Sequence, residues 1–459
     1  MEILVSQRGG RKLIFEGYRY THQKTLADGK DSWECVYRRN HRNCKARLKT
    51  TENHVVDRVN DHTHPPEPME IEAEKARTAI KRRARETEDR TRQIVARGVN
   101  DLSGPAAALM PSVQTISRDI RRQRQHDAPL VPGRNDRNFV IPHDFTIING
   151  MPFLRYDNER NDRMLIFGSE ASLGFLAQSQ HWFMDGTFQT SPPQFAQLYT
   201  IHGLGGGRNV VGAYALLPNK RQDTYVEMLL QLQQMTNDAS PTSVLTDFEL
   251  GAIGAVRTVH PNAARKGCLF HLSQSVYRRV QASGLQEAYL NDDAFRSSVR
   301  MLPALAFVPL PDVENAFLAV SAIWGARGRE IVDYFESTYI GQMRAGRRED
   351  PLFSNEVWNV SDRMENDLPR TNNALEGWHN AFSQSITCPR PSVWTLIQAL
   401  KRENAMAALS IAQIEAGQPP APQKRVYRRI NDNLRTVFQD YQNRNTIDFL
   451  RAISYNLWH

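Results

Sequence analysis

The stretch from residue 181 to residue 279 decides the fold; it contains HWFMDGTFQT (181–190), SVLTDFELGA (243–252) and KGCLFHLSQSVYRR (266–279). Asp185 and Asp247 each follow a short apolar run, and such runs, when bounded by turn signals, indicate buried strands. A carboxylate at the end of a buried strand lies at the edge of the sheet, where ligands of α/β sheets bind. These two aspartates are the first candidate functional residues.

The residues between the two aspartates predict a mixed sheet. Residues 194–204 and 210–217 are rich in β-branched and aromatic residues and flank a Gly-Gly-Gly turn, which predicts two further antiparallel strands. A helix over 223–235, capped by Asp223, leads into the strand that ends at Asp247. In the resulting β-β-β-α-β-α-β order the first and fourth strands are expected side by side, with a last short strand over the segment that holds Cys268 and His271.

Adjacent carboxylates predict a metal site. Like charges at close range raise one pKa strongly unless cations neutralise them. Mg²⁺ takes carboxylate oxygens and keeps waters for a substrate phosphate, so it is the preferred cation. The plain alternative is two surface aspartates at strand ends.

A third carboxylate comes from the segment RTNNALEGWHNAFSQSI (370–386), which predicts a helix capped by Asn372 or Asn373. Glu376 and His379 are three residues apart and share one face of that helix. A helix-borne Glu facing two strand-end aspartates is the arrangement of two-metal phosphoryl-transfer sites. Glu365 and Asp367 are nearby competitors for this position.

Four motifs follow one another in the sequence: DGTF (185–188), TDFE (246–249), the Cys268-x-x-His271 pair and NNALEGWH (372–379). In this order they resemble the motifs of the MULE (Mutator-like element) transposases, which are DDE-type recombinases with an RNase H-like fold. The resemblance covers roughly residues 140–400. It implies that Asp185, Asp247 and Glu376 are catalytic carboxylates that hold Mg²⁺ or Mn²⁺. It also implies an α-helical insertion, at about 281–365, between the second carboxylate and the third.

The Cys268 and His271 pair could be half of a zinc site, for which Cys388 and His379 are the available partners. We favour a role without zinc near the catalytic carboxylates, because the family shares this pair. The plain alternative is a buried cysteine beside a hydrogen-bonded histidine.

Composition narrows the class of protein. The chain has 459 residues, of which 40% are hydrophobic and 24% charged, so several domains with sizeable cores are expected. No apolar run approaches the roughly 18 residues of a membrane span, and the N-terminus lacks the apolar stretch of a secretory signal. Four cysteines are too few for a disulfide scaffold, which favours a reducing intracellular compartment.

Residues 1–66 predict a small β-rich zinc-binding domain. Alternating apolar residues indicate strands with one buried face, and the spacing Cys35-x8-Cys44-x17-His62-x-His64 offers two thiolates and two imidazoles for tetrahedral zinc. Because a segment of this length buries only a small hydrophobic core, a bound metal is a natural source of its stability. The pattern resembles the FLYWCH zinc finger. Such a domain could bind either DNA or protein. The alternative is two buried cysteines and two loop histidines.

Residues 67–130 predict an acidic linker (67–74) followed by basic helical segments. Between positions 75 and 125 there are 13 Lys and Arg against 5 Asp and Glu, an excess equal to the net charge of +8 of the whole chain. The last helix carries Val113, Ile116 and Ile120 on one side and four arginines on the other: Arg118, Arg121, Arg122 and Arg124. This predicts a helix-turn-helix-like segment that binds DNA, with a plain basic linker as the alternative. KRRAR (81–85) predicts nuclear localisation.

The sequence thus predicts an α/β protein with four parts: a FLYWCH-type zinc finger (1–66), a linker and basic helical segment (67–130), an RNase H-like transposase domain with a helical insertion (131–400) and a helical tail (401–459). The leading hypothesis is a transposase that cleaves and joins double-stranded DNA, at transposon ends and target, as a homo-oligomer without membrane contact. The second is a domesticated, transposon-derived DNA-binding transcriptional regulator without catalytic activity. A nuclease of RNase H type is a third, weaker interpretation.

Overall fold

The computed structural model describes residues 1–5, 10–40, 42–51, 54–87, 89–127, 129–386 and 389–457. The chain divides into two units, Met1–Leu130 and Val131–His459. In the described part of the chain, no helix is long and apolar enough to cross a membrane.

The first unit begins with an antiparallel sheet whose six strands pair in chain order over the described residues. They are β1 (Glu2–Val5), β2 (Arg11–Phe15), β3 (Tyr18–Thr25), β4 (Asp31–Cys35), β5 (Arg47–Thr51) and β6 (His54–Val59). Leu13, Trp33 and Leu48 are buried together on one face, which is the alternation expected of a sheet with one covered side.

The sheet is followed by α1 (Pro68–Glu86), α2 (Thr91–Val99), α3 (Gly104–Ala108) and α4 (Val113–Asp127). Three of these helices, α1, α2 and α4, pack around a small apolar core that contains Ile80, Ile94, Ile116 and Ile120. The acidic segment 67–74 was expected as a linker, but it forms the start of α1, because Ile71 and Ala73 bury their side chains among its glutamates.

A charged cluster joins α1 to the sheet of the first unit. Arg19, whose side chain is only 15% exposed, pairs with Glu67, Glu70 and Glu74, and we call these four residues the Arg19 cluster. Around it Tyr37 donates its hydroxyl to Glu67, while Lys12 pairs with Glu74 and Arg42 with Glu67. The charge of Arg42 is therefore matched by a glutamate within the unit.

Helix α4 differs from the expectation at two positions. Arg118, Arg121 and Arg122 are exposed as predicted. Arg124 instead donates to the carbonyl oxygens of Ala84, Thr87 and Asp89 at 2.7–3.1 Å, so it ties α4 to the end of α1. Val113, predicted on the buried side, is 62% exposed because it is the first residue of the helix.

The second unit is built on a mixed sheet. The strands of this unit are β7 (Ile147–Ile148), β8 (Met151–Pro152), β9 (Leu154–Asp157), β10 (Leu165–Phe167), β11 (His181–Thr187), β12 (Gln197–Gly205), β13 (Arg208–Leu217), β14 (Ser243–Thr246), β15 (Ala264–Gly267), β16 (Met343–Arg344) and β17 (Arg347–Arg348). Over the described residues the strand order of the sheet is β15-β14-β11-β12-β13-β10-β9, while β7 with β8 and β16 with β17 form two small hairpins. As predicted, β11, β12 and β13 are antiparallel, and β11 lies beside β14, with which it runs parallel.

The helices of this unit are α5 (His143–Thr146), α6 (Glu170–Gln178), α7 (Gln222–Met235), α8 (Leu250–Val259), α9 (Leu269–Ala282), α10 (Gln286–Asn291), α11 (Asp293–Ala304), α12 (Val313–Ala322), α13 (Arg329–Phe335), α14 (Asn355–Trp358), α15 (Ser361–Glu365), α16 (Asn373–Ser385), α17 (Val393–Glu415), α18 (Arg425–Gln439) and α19 (Thr446–Tyr455). One face of the sheet packs against α6, α7 and α8, and the other against α16 and α17. Asp223 lies within the first turn of α7 instead of capping it.

The helices between α9 and α16 form a core of their own, and the C-terminal helices complete it. Leu434 of α18 and Phe449 and Leu450 of α19 are buried in that core. Helix α17 runs from Val393 to Glu415 without a break at residue 400, and its buried residues cover the sheet. The segment predicted as a tail from 401 onward therefore begins inside a helix of the sheet layer.

Candidate functional site

The first unit contains a Cys2His2 group that fits zinc. The ligand atoms of Cys35, Cys44, His62 and His64 all lie within 4.8 Å of one another. The Sγ of Cys35 is 3.3 Å from Nε2 of His64, and the Sγ of Cys44 is 3.4 Å from Nδ1 of His62. Ligands bound to one tetrahedral zinc at about 2.0–2.3 Å lie roughly 3.3–3.8 Å apart, so the donor set and its spacing form a zinc-binding site.

Neighbouring groups orient both imidazoles of this site. The Nδ1 of His64 lies 2.9 Å from the carbonyl oxygen of Pro65, which leaves Nε2 free for the metal if Nδ1 carries the proton. The Nε2 of His62 lies 2.7 Å from the hydroxyl of Tyr20, and the ring of Tyr18 stacks on the same imidazole. Such supporting contacts fix the tautomer and the ring orientation of metal ligands.

The second unit brings the two predicted aspartates to one edge of the sheet. The last parallel pair between β11 and β14 joins Phe183 with Leu245, and Asp185 and Asp247 each follow that pair by two residues. In a parallel ladder, equal offsets from a pair remain opposite each other, so the two carboxylates leave the sheet side by side. The backbone amide of Gly186 donates to Oδ1 of Asp185 at 2.8 Å.

The electrostatics of this edge are those of crowded carboxylates. Burial, and after it the charges of Asp247 and Glu376, raise the pKa of Asp185 to about 7, against the opposing effects of the Gly186 amide and Lys220. Burial also raises the pKa of Asp247 to about 6, with a contribution from Glu249. The pKa of Glu376 is raised by burial as well. Three acids with raised pKa values at one edge are what a cation-binding group of carboxylates is expected to show.

Helix α16 reaches this edge through its first turn. Leu375 is buried with Phe183 of β11, Leu245 of β14 and Cys268. Asn372, just before the helix, donates its backbone amide to Sγ of Cys268 at 3.1 Å, and its side-chain amide lies 3.4 Å from the carbonyl oxygen of Met184. These contacts fix the start of α16 against the ends of two strands, with Glu376 one residue beyond the buried Leu375.

The competitors for the third position lie elsewhere. Glu365 is exposed at the end of α15, and Asp367 is exposed and pairs with Arg435 of α18. Among the described residues, only the Cys2His2 group brings three or more His, Cys, Asp or Glu ligand atoms within 4.8 Å of one another. The three carboxylates therefore form a looser group than the zinc site, and their catalytic role stays a prediction.

Cys268 and His271 have different surroundings. Cys268 is fully buried between β15 and α9, in contact with the start of α16, and burial raises the pKa of its thiol to about 11. His271 was expected on a strand, but it lies in the first turn of α9, because β15 ends at Gly267. Cys268 thus supports the site from within the core as a neutral thiol. Cys388, considered as a partner for this pair, lies outside the described residues.

His379 approaches the aspartates from α16. Its Nε2 lies 3.6 Å from Oδ2 of Asp185, and both side chains are 12% exposed. Burial lowers the pKa of His379 to about 4, so the imidazole is neutral at pH 7 and the contact is not an ion pair.

Sequence reasoning missed a second group of residues at this edge. Glu249 accepts hydrogen bonds from Lys220 at 2.9 Å and from the hydroxyl of Tyr225 at 2.8 Å. The buried Gln197 in turn donates to that hydroxyl at 2.6 Å. Glu249 belongs to the TDFE motif, so its position two residues after Asp247 was a usable signal. Lys220 lies in a loop, and nothing in the sequence marks it.

The donor set fits a divalent cation of the Mg²⁺ or Mn²⁺ class. Three carboxylates supply oxygen ligands, and Oδ1 of Asp247 is buried and has no hydrogen-bond partner within the part of the chain that the structure describes. A buried carboxylate oxygen without a donor is destabilising unless a cation meets it. Asp185, Asp247 and Glu376 are the residues that would hold such an ion.

We expect Cys35→Ser to remove one equivalent of zinc from the chain and to unfold the sheet of Met1–Leu130, because the site supports a very small core. Metal analysis and hydrogen exchange of β2–β5 measure both effects. Cys268→Ser, which replaces a buried cysteine of the second unit, is the matched control, and the zinc of the Cys2His2 site should stay bound in it. A Cys35→Ser chain that stays folded and metal-loaded would contradict the assignment.

The raised pKa of Asp185 predicts a pH-dependent stability in cation-free protein. Folding raises this pKa from its ordinary 3.8 to about 7. The charged carboxylate therefore lowers the free energy of unfolding fully above pH 7 and has no effect on it below pH 4, where the group is protonated in both states. Asp185→Asn should therefore increase the hydrogen-exchange protection of β11 and β14 at pH 8, by roughly one to two orders of magnitude, and leave it unchanged near pH 4. The exposed Asp238→Asn should have no effect at either pH. Equal protection of the Asp185→Asn and unaltered chains at pH 8 would count against the crowded site.

Comparison with known families agrees with this geometry. Residues 3–64 match the FLYWCH zinc finger domain, and residues 181–275 match the MULE transposase domain. The first match contains the Cys2His2 group, and the second contains Asp185, Asp247, Cys268 and His271. No curated protein matches the chain. The chain thus carries a FLYWCH zinc finger domain and a MULE transposase domain, as its motifs predict, and the two together indicate a transposase-like DNA-binding protein.

Proposed function

We propose that the second unit is an RNase H-like DDE transposase domain that cleaves DNA strands at element ends and transfers them to a target. The observation that carries the proposal is the parallel pairing of β11 with β14, which brings Asp185 and Asp247 together while α16 adds Glu376. The strand order β13-β12-β11-β14-β15, with three antiparallel strands followed by two parallel ones, supports the RNase H-like assignment.

Each carboxylate has a distinct support for this role. Asp185 is fixed by the amide of Gly186, Asp247 has a buried oxygen free for a cation, and Glu376 stands on an anchored helix. When bound, two divalent cations would polarise the phosphate and activate the attacking oxygen. Lys220, paired with Glu249 and partly exposed, adds a positive charge close enough to lower the pKa of both aspartates. The positive charge of Lys220 would attract the negatively charged phosphodiester of DNA, which the neighbouring carboxylates repel.

DNA recognition would fall to the first unit. Helix α4 exposes Arg118, Arg121 and Arg122 on a three-helix core, in the manner of a helix-turn-helix domain that places its last helix on DNA. Double-stranded DNA at the ends and at the target, a homo-oligomeric assembly and a nuclear location complete the proposal. The KRRAR segment lies within α1, where Ala84 is buried and Arg83 pairs with Asp89.

The second candidate is a domesticated regulator that keeps DNA binding without catalysis. It shares the first unit with the transposase and differs only in whether the carboxylates act. The three acids and their raised pKa values favour the enzyme, because a binding protein gains nothing from a destabilising cluster of buried charges.

The catalytic assignment is tested by Asp185→Asn, Asp247→Asn and Glu376→Gln in the full chain. Each should lower Mg²⁺- or Mn²⁺-dependent cleavage of DNA that carries the inverted repeats of the element ends by at least about a hundredfold, because each removes a carboxylate that would hold the cations. DNA binding, measured in parallel, should be unchanged.

Glu365→Gln and Asp367→Asn are matched controls, since both carboxylates lie near α16 in sequence but face solvent. They should keep full cleavage. Loss of activity in Glu365→Gln with activity retained in Glu376→Gln would reassign the third acid, and an unaltered chain that binds the repeats but never cleaves them would favour the regulator.

The DNA-binding assignment of α4 predicts a salt effect. Replacing Arg118, Arg121 and Arg122 together by Gln should weaken DNA binding and reduce the slope of log K against log salt by about 0.9 for each phosphate that the helix no longer neutralises. Arg124→Gln removes the same kind of charge but breaks the hydrogen bonds to α1 and the segment after it, so it should lower the unfolding temperature and leave the slope nearly unchanged. An unchanged slope in the triple variant would exclude α4 as the DNA-binding helix.

A further inference from the structure

One polar side chain at the carboxylate edge has no part in a three-carboxylate scheme. His379 lies one helical turn after Glu376, and the two side chains share a face of α16. Both ring nitrogens of His379 are buried, and no hydrogen-bond partner reaches either of them among the described residues. Buried polar atoms nearly always have partners, so an imidazole with two unpartnered nitrogens needs an explanation.

The distance from His379 to Asp185 suggests one. The gap of 3.6 Å between Nε2 and Oδ2 is too long for a hydrogen bond. Ligand atoms at about 2.0–2.2 Å from a shared cation lie roughly 3–3.5 Å apart, close to this gap. The zinc site of the same chain provides a comparison, because Nδ1 of His62 and Nε2 of His64 are 3.2 Å apart there. The pair at the carboxylate edge is thus within a few tenths of an ångström of the spacing of two ligands of one ion.

The imidazole is held in place by its own helix. Leu375 and Phe382 bury α16 on either side of His379, and the ring of Trp378 stacks on Phe382 with centroids 4.8 Å apart. The same indole ring meets the buried His202 of β12 edge-on at 5.5 Å. The imidazole of His379 is only 12% exposed and meets this indole edge-on at 5.2 Å, so its neighbours limit its freedom to turn away from Asp185, as a metal ligand requires.

We propose that Nε2 of His379 and Oδ2 of Asp185 are ligands of the same cation, which makes one of the two positions a mixed nitrogen–oxygen site. The inference rests on the proposed function and specifies its metal. Imidazole suits transition metals, whereas Mg²⁺ prefers oxygen ligands and retains its waters. This position therefore selects Mn²⁺ over Mg²⁺ more strongly than three carboxylates would.

The test uses electron spin echo spectroscopy of Mn²⁺ bound to the full chain, with the Cys2His2 site filled by zinc. Zinc outcompetes Mn²⁺ at such ligands, so the added ion reports on the second unit. The bound Mn²⁺ should show coupling to an imidazole nitrogen, and the coupling should change to the ¹⁵N pattern in protein labelled at histidine. His379→Ala should remove it, and His379→Gln provides a second variant of closer size. His143→Ala, at an exposed histidine of α5, should retain it.

Affinity provides a second measurement. Loss of a residue that only supports a metal ligand weakens metal binding by roughly 10–100-fold. His379→Ala should weaken Mn²⁺ binding by at least this factor, because it removes a ligand, and should weaken Mg²⁺ binding much less. Mn²⁺ that binds in an Asp185-dependent manner without nitrogen coupling would overturn this inference and leave the proposed function intact. Mn²⁺ binding that is absent, or indifferent to Asp185→Asn and Glu376→Gln, would overturn both.

Discussion

The parallel pairing of β11 with β14 is the constraint on which the second unit depends. Its register sets Asp185 opposite Asp247, and the buried neighbours on both faces prevent the strands from separating to relieve the repulsion. The fold thus holds like charges together at a cost in stability. Cys268 and Leu375 fill the space beneath the carboxylates, so the packing that creates the strain also fixes the helix that carries Glu376. Stability and site geometry come from the same few contacts.

Much of the sheet could be predicted because its signals are local. The apolar runs before Asp185 and Asp247, the glycine turn between β12 and β13, and the order of elements each depend on neighbouring residues alone. The errors arose where partners are distant in sequence. The acidic segment 67–74 resembles a linker until Arg19 and Lys12 are placed beside it, and α17 continues past residue 400 because the sheet covers its apolar side.

The candidate site was predictable to a similar degree. Acids at strand ends and a capped helix mark Asp185, Asp247 and Glu376, and the resemblance to a transposase family adds roles that residue patterns cannot supply. Lys220 and Tyr225 were not predictable, because their importance comes from Glu249 and a shared hydrogen bond. Arg124 shows the converse: it has the same helical spacing as the exposed arginines of α4, but three carbonyl oxygens of a neighbouring segment bind it.

The Arg19 cluster affects how the first unit can change during evolution. Zinc fingers are commonly treated as interchangeable modules, but this finger supplies the positive charges that Glu67, Glu70 and Glu74 require. A substitute finger without basic residues at positions 12, 19 and 42 would leave three glutamates unmatched in the segment that caps and begins α1, next to helices whose outer surface is basic. The finger and α1 are therefore expected to be inherited together, and a change in one constrains which residues the other can accept.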